Sequence, residues 1–379
     1  MRTGFAFDFL RKVPSTLCLV LLLMTWVIPN TPAQDKPKLR DFGRSLKEDS
    51  KKTQPQNSKP NNSDVDEVIR VQTDLVVSSL MVVDNKGNAI LGLERSDFVI
   101  SENGQRQEIG AFSLEDSVTL PRSIVLIIDY SRSQLPYIQT SVTAAQSLVD
   151  KLGPKDRMAL VTDDVKLLTD FTQDKELLKA KLESLRRSAQ SGKVGRSLQL
   201  SALMATLKEM FSQEDLCPII IFQTDGDELS KLRGFTFKDV ETEVEQSRAT
   251  IYTIIPGSLI GLSPKDREEK VTRVMTEIFG HYPRPLDQID AYARERLKEN
   301  LAIAFLAQMS GGWSDSLNKP EQAEEVYGRI FADINNRYVI GYYPSNKEHD
   351  GKKRNVKIEV RGHPEYVVWG RKTYFAPVQ

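Results

Sequence analysis

Histidine is scarce: the 379 residues include three, His281, His349 and His363, all in polar, turn-like stretches. That argues against a histidine-built zinc centre and against a nucleophile–histidine triad. Cysteine is scarcer still, with Cys18 and Cys217 alone. Cys18 lies inside an N-terminal apolar run, so a chain cut after that run keeps one thiol and no internal disulfide. Cys217 heads an apolar strand-like run and reads as a small buried residue, not a reactive thiol. Charge of either sign is not in excess, with 52 basic and 52 acidic side chains. A nucleic-acid-binding surface is therefore not the theme of this chain. After the N-terminal run no segment is long and apolar enough to span a bilayer. No Gly-x-Gly-x-x-Gly follows a strand, and neither a phosphate-binding Gly-x-x-x-x-Gly-Lys-Ser/Thr loop nor a Gly-x-Ser-x-Gly elbow is present.

What is there divides into blocks. Residues 1–33 carry Arg2, Arg11 and Lys12, an apolar core from Leu17 to Ile28, and small residues at Thr31-Pro32-Ala33. This is the pattern of a secretory signal, so the chain is expected to be exported: periplasmic, surface-held or released. Residues 34–66 are polar with almost no large apolar side chains, and read as a flexible linker. Residues 67–118 turn β-rich, with turn clusters at Asp84–Asn88 and Glu102–Gln105, and residues 337–379 are β-rich again. Each block is small for an independent sandwich, so the two are expected to pair into one β module around an inserted domain.

Between them, over 119–336, apolar strands alternate with amphipathic helices. That alternation indicates an α/β domain built on a doubly wound, mostly parallel sheet. Within it, residues 258–300 are Pro-containing and highly charged, and read as a helical insertion over the surface. The domain is organised around Ser123–Ser133, where an apolar run of Ile, Val and Leu ends in Asp129-x-Ser131-x-Ser133. The carboxyl edge of such a sheet is where ligands bind. One carboxylate and two hydroxyls on alternate residues suit a hard, oxygen-seeking cation.

Asp129-x-Ser131-x-Ser133 resembles the metal-ion-dependent adhesion site of von Willebrand factor type A domains. Thr224-Asp225-Gly226, after the apolar run Ile219–Phe222, is similar to a second ligand turn of that family. Ser197, ahead of Leu198-Gln199-Leu200-Ser201-Ala202-Leu203, stands where the family has a threonine. Residues 68–115 also resemble the β module that precedes the A-type domain in a bacterial group noted mostly in acidobacteria. The resemblance implies a Rossmann-like A-type fold with Asp129, Ser131, Ser133, Ser197 and Asp225 as metal ligands. It implies Mg²⁺ foremost, with Mn²⁺ and Ca²⁺ as alternatives. It implies a protein ligand that offers a carboxylate to the ion, and no catalysis. Arg132 departs from the small residue usual there and places a positive charge beside the site. Asp227 and Glu228 read as solvated. The alternatives are a metal-independent scaffold or envelope assembly factor and, as a rival class, a phosphohydrolase using Asp129. Against the last, a second Asp is wanted two residues on, and that position is Ser131.

Overall fold

The computed structural model describes residues 39–49, 75–114, 121–212, 215–228, 234–279 and 286–378. The signal-like segment 1–33, most of the linker, the strand-like run 68–74, and His281, Pro283 and Pro285 lie outside the described residues.

The region before residue 121 supplies β1 (Val76–Val83), β2 (Phe98–Glu102), β3 (Gln105–Gln107) and β4 (Ile109–Leu114). The α/β region supplies β5 (Arg122–Ile128), β6 (Arg157–Thr162), β7 (Lys166–Thr172), β8 (Cys217–Gln223), β9 (Thr250–Pro256) and β10 (Ser314–Leu317). The C-terminal region adds β11 (Tyr338–Tyr342), β12 (Lys353–Val360), β13 (Val367–Gly370) and β14 (Thr373–Phe375).

β5, β8 and β9 are buried at every position. Continuous Ile and Val runs demand this, since a strand apolar on both faces must be covered on both. The central sheet runs β10-β9-β8-β5-β6-β7. All its pairings are parallel except that of β7 with β6. Strand order reverses between β5 and β8, the doubly wound arrangement whose switch point opens a crevice at the carboxyl edge. Helices Leu135–Lys151, Lys175–Gln190 and Ala323–Asn335 close one face of the sheet. Helices Gln199–Glu209, Phe237–Gln246 and Leu286–Met309 close the other.

The flanking strands form two antiparallel sheets, β13-β1-β11-β4 and β14-β12-β2-β3. Each sheet mixes strands from both ends of the chain, and their core joins Leu80, Val82, Phe98 and Ile100 to Tyr338, Ile340, Tyr342 and Val356. The α/β domain is thus inserted into the β module. Arg337, 1 % exposed, locks the two together. Its guanidinium donates to Ser79 Oγ (2.9 Å) and Ser79 O (3.0 Å) on β1, and to Gly311 O (2.8 Å), Tyr252 Oη (3.1 Å) and Asp333 Oδ2 (3.1 Å) in the α/β domain.

Two sequence readings are corrected. The linker assigned to 34–66 is not free throughout: residues 40–49 dock on the α/β domain and end in a short helix, Ser45–Asp49. Arg40 pairs with Asp170 at 2.7 Å, and the Gly43 and Ser45 backbone N–H groups each donate to the Glu209 carboxylate at 2.8 Å. Phe42 and Leu46 pack beside the core. The polar composition hid this, because the docking relies on backbone donors and two apolar side chains. The insertion, in turn, does not end at residue 300. After Pro264–Phe279, its second helix continues unbroken from Leu286 to Met309, so a surface-facing half and a core half are one rod. Leu259, Val271 and Ala293 give it a small core of its own.

At the base of β5 the fully buried Arg122 donates Nε to Asp156 Oδ1 at 2.8 Å and Nη2 to Asp156 Oδ2. Removing one partner of a buried ion pair strands the other charge. Asp156→Ala is therefore expected to cost about 3–5 kcal/mol in urea unfolding. A loss below about 1 kcal/mol would show that the pair does not anchor β5.

Candidate metal centre

The loops that follow β5, β6 and β8 meet at the switch point together with the loop 191–198. Asp129 leaves β5 with its N–H donating to Gln223 O at 3.0 Å, and its side chain is 0 % exposed. Oδ1 of Asp129 accepts from the Ser131 N–H at 2.9 Å, and Oδ2 accepts from Thr224 Oγ1 at 3.2 Å. Ser131 Oγ lies 3.2 Å from Ser133 Oγ. A cavity of about 180 Å³ opens beside these groups, and Ser133, Ser197 and Asp225 line it. The five residues singled out by sequence therefore gather at one place: Asp129 and Ser131 buried, the other three on the cavity wall.

Ser197 is delivered by Asp163. The Asp163 carboxylate accepts from the Tyr130 N–H at 3.2 Å and the Ser197 N–H at 2.8 Å, tying the loop after β5 to the loop before Gln199–Glu209. Ser197 takes φ 54°, a left-handed conformation that side-chain-bearing residues rarely adopt. Such strain persists where surrounding contacts over-determine it. Gly195 makes room for the clasp, since a Cβ there would lie 2.0 Å from Asp163 Oδ1. Nothing in the sequence singles out Asp163. Its role runs through backbone N–H groups on two distant loops, which leave no pattern in sequence.

Asp225 is 2 % exposed. Its Oδ2 faces Arg296 Nη2 at 2.7 Å, and its Oδ1 has no hydrogen-bond partner. Gly226 takes φ +84° and meets the helix Leu286–Met309 closely, with Ile303 Cγ1 2.9 Å from where a Cβ would sit. Glu228 is not solvated as expected, and Asp227 is half-buried. Asp227 Oδ1 accepts from Gln199 Nε2 at 2.5 Å. Glu228, 1 % exposed, accepts from the Leu200 N–H at 2.6 Å and the Ser201 N–H at 3.1 Å. It satisfies donors of the first turn of Gln199–Glu209, where a negative charge is favourable.

The electrostatics are those of crowded, desolvated carboxylates. Burial, then the charges of Asp163 and Asp225, holds Asp129 well above the usual carboxylate range. Burial lifts Asp163 to about 6 and Glu299 to about 7. Among the described residues no group of three His, Cys, Asp or Glu side chains is placed to hold an ion. The insertion supplies much of the cavity wall: Lys270, Val271, Val274, Met275, Tyr292 and Arg296. Arg132 lines it as well, beside Ser133.

No protein-family model matches the sequence, and no curated protein matches it. Several solved structures do. The conserved hypothetical protein BatB from Bacteroides thetaiotaomicron aligns at 16 % identity over 57 % of this chain and 98 % of its own, with a TM-score of 0.35. A von Willebrand factor type A protein from Catenulispora acidiphila aligns at 10 % identity over 81 % of this chain and 74 % of its own, with a TM-score of 0.39. Proximal thread matrix protein 1 of the mussel byssus, solved with a zinc-occupied MIDAS motif, aligns at 15 % identity over 57 % of this chain and 49 % of its own, with a TM-score of 0.36. At these identities and scores the likenesses carry no argument about function. The domain itself has the doubly wound six-stranded sheet that the resemblance to von Willebrand A domains implies, with the loops of interest at its switch point.

Gly195→Ala should displace the Asp163 carboxylate and lower stability by about 1–3 kcal/mol in thermal unfolding. An unchanged midpoint would mean that the clasp is not as described. Lys270 gives a pH test. Its Nζ donates to Ser258 O and Asn318 Oδ1, both at 2.9 Å, and burial, then Arg273, pushes its pKa down to about 8. The unfolded chain, with an ordinary lysine near 10.4, binds more protons than the folded chain between those values. The contribution of Lys270 to stability therefore rises with pH from about 8 to about 10. Unfolding of the wild type and Lys270→Met at both pH values should show that rise in the wild type alone.

Proposed function

We propose that the chain is an exported, non-enzymatic protein that binds a protein ligand through a divalent ion, Mg²⁺ foremost, held by Asp129, Ser131, Ser133, Ser197 and Asp225. One observation carries the reading. Asp129 and Asp225 are 0 % and 2 % exposed at the carboxyl edge of the sheet, Ser133 and Ser197 line the same cavity as Asp225, and Asp225 Oδ1 is a buried oxygen with no partner. Buried carboxylates are stable only when a cation or donors compensate them. Carboxylate and hydroxyl oxygens are the donors Mg²⁺ prefers, and it commonly keeps coordination positions for water or a ligand oxygen. When bound, the ion would supply a Lewis-acidic position for a carboxylate from the partner. The chain's own residues set that position: Asp163 fixes Ser197, and Thr224 and the Ser131 N–H orient Asp129. Export rests on the pattern of residues 1–33, and no helix among the described residues is long and apolar enough to cross a membrane.

A second reading, the metal-independent scaffold, is favoured by one contact: the Arg296 guanidinium already neutralises Asp225. The two readings separate in thermal unfolding of the protein with and without millimolar Mg²⁺ or Mn²⁺. An ion that binds only the folded state raises its stability by mass action, about 2.7 kcal/mol at a hundred times Kd. The expected result is a rise in midpoint that Asp129→Ala abolishes. No shift in the wild type would favour the scaffold.

A further inference from the structure

We infer that Arg296 is the resident cation of this site, and that a divalent ion must displace its guanidinium from Asp225 to bind. The inference rests on the metal-binding reading above and adds to it a competitor supplied by the chain itself. The Arg296–Asp225 pair is 2.7 Å long, with side-chain exposures of 15 % and 2 %. A pair this enclosed is screened far less than a surface pair.

Its placement is fixed by the helix that carries it. Asn300, one turn on, donates Nδ2 to Asp225 O at 2.9 Å and accepts from the Leu259 N–H at 2.9 Å. Glu299 O and Ile303 lie against Gly226. Glu299 also reaches Arg296 Nη1 at 3.3 Å. The helix is therefore seated on the Thr224-Asp225-Gly226 turn by backbone-level contacts, and Arg296 points into the cavity that Ser133 and Ser197 line. Contrast Arg294 on the same helix: its partner is Asp290, one turn back, and its side chain is 65 % exposed.

A guanidinium and a dication drawn to one carboxylate repel each other across a poorly screened gap, so occupancy by one weakens the other. Taking the guanidinium away leaves Asp225 buried and uncompensated, which raises the site's demand for a cation.

The test is calorimetric titration of the full chain with Mg²⁺ and with Mn²⁺, for the wild type, Arg296→Gln and Arg296→Lys, with circular dichroism to establish folding. Arg296→Gln should bind at least tenfold more tightly than the wild type, or bind where the wild type does not. Arg296→Lys keeps the charge and should stay within about threefold of the wild type. If the wild type binds and Arg296→Gln binds no tighter, the inference fails while the metal reading stands. If neither binds, both fail. Should Arg296→Gln not fold, Arg296→Met, which keeps the aliphatic packing, is held to the same tenfold criterion.

Discussion

The constraint on which this site depends is the burial of negative charge at the carboxyl edge of a sheet covered on both faces. A strand as apolar as β5 delivers Asp129 into the protein, and the reversal of strand order beside it brings Asp225 to the same place. Carboxylates so placed must be compensated, and the surrounding structure can be read as a division of that labour. Ser131 and Thr224 serve Asp129, and Arg296 serves one oxygen of Asp225. Asp163 is met by backbone N–H groups of the loops it holds together. Glu228 is met by the first turn of a helix. Each solution draws on a different loop, so the site has no single owner in sequence.

The last helix of the α/β domain joins this edge to the β module. Tyr327 on that helix donates to Gln223 Oε1 at 2.9 Å, and the backbone of Gln223 accepts from Asp129 at 3.0 Å. Two turns on, the same helix gives Asp333 to Arg337, whose other donors reach β1. The contacts from site to module are contiguous, and every link is buried or half-buried.

The doubly wound α/β fold was legible because β5, β8 and β9 are continuous apolar runs and the helices between them keep a clear stripe. Asp129, Ser131, Ser133 and Asp225 were legible for a local reason: each follows directly on one of those runs. Residues acting across the fold were not. Asp163 and Glu228 work through backbone donors on loops far away, and a carboxylate in a turn looks solvated until its partners are known. Arg296 lies in a charged stretch where nothing distinguishes it from Arg294, because the difference is which way each faces. The docking of residues 40–49 escaped notice because a polar segment can be held by hydrogen bonds with little apolar surface.

The interleaving of the two chain ends has a kinetic side. Ser79 on β1 meets Arg337 across a sequence separation of 258. During synthesis, β1 to β4 therefore emerge long before β11 to β14 exist to pair with them, and the whole α/β domain is made in the interval. Until then β1 has neither of its sheet neighbours, and β2 lacks β12. Open edges with apolar faces are the surfaces through which chains misassemble. The β module must close last, and the α/β domain has to reach its fold on a scaffold that is not yet built.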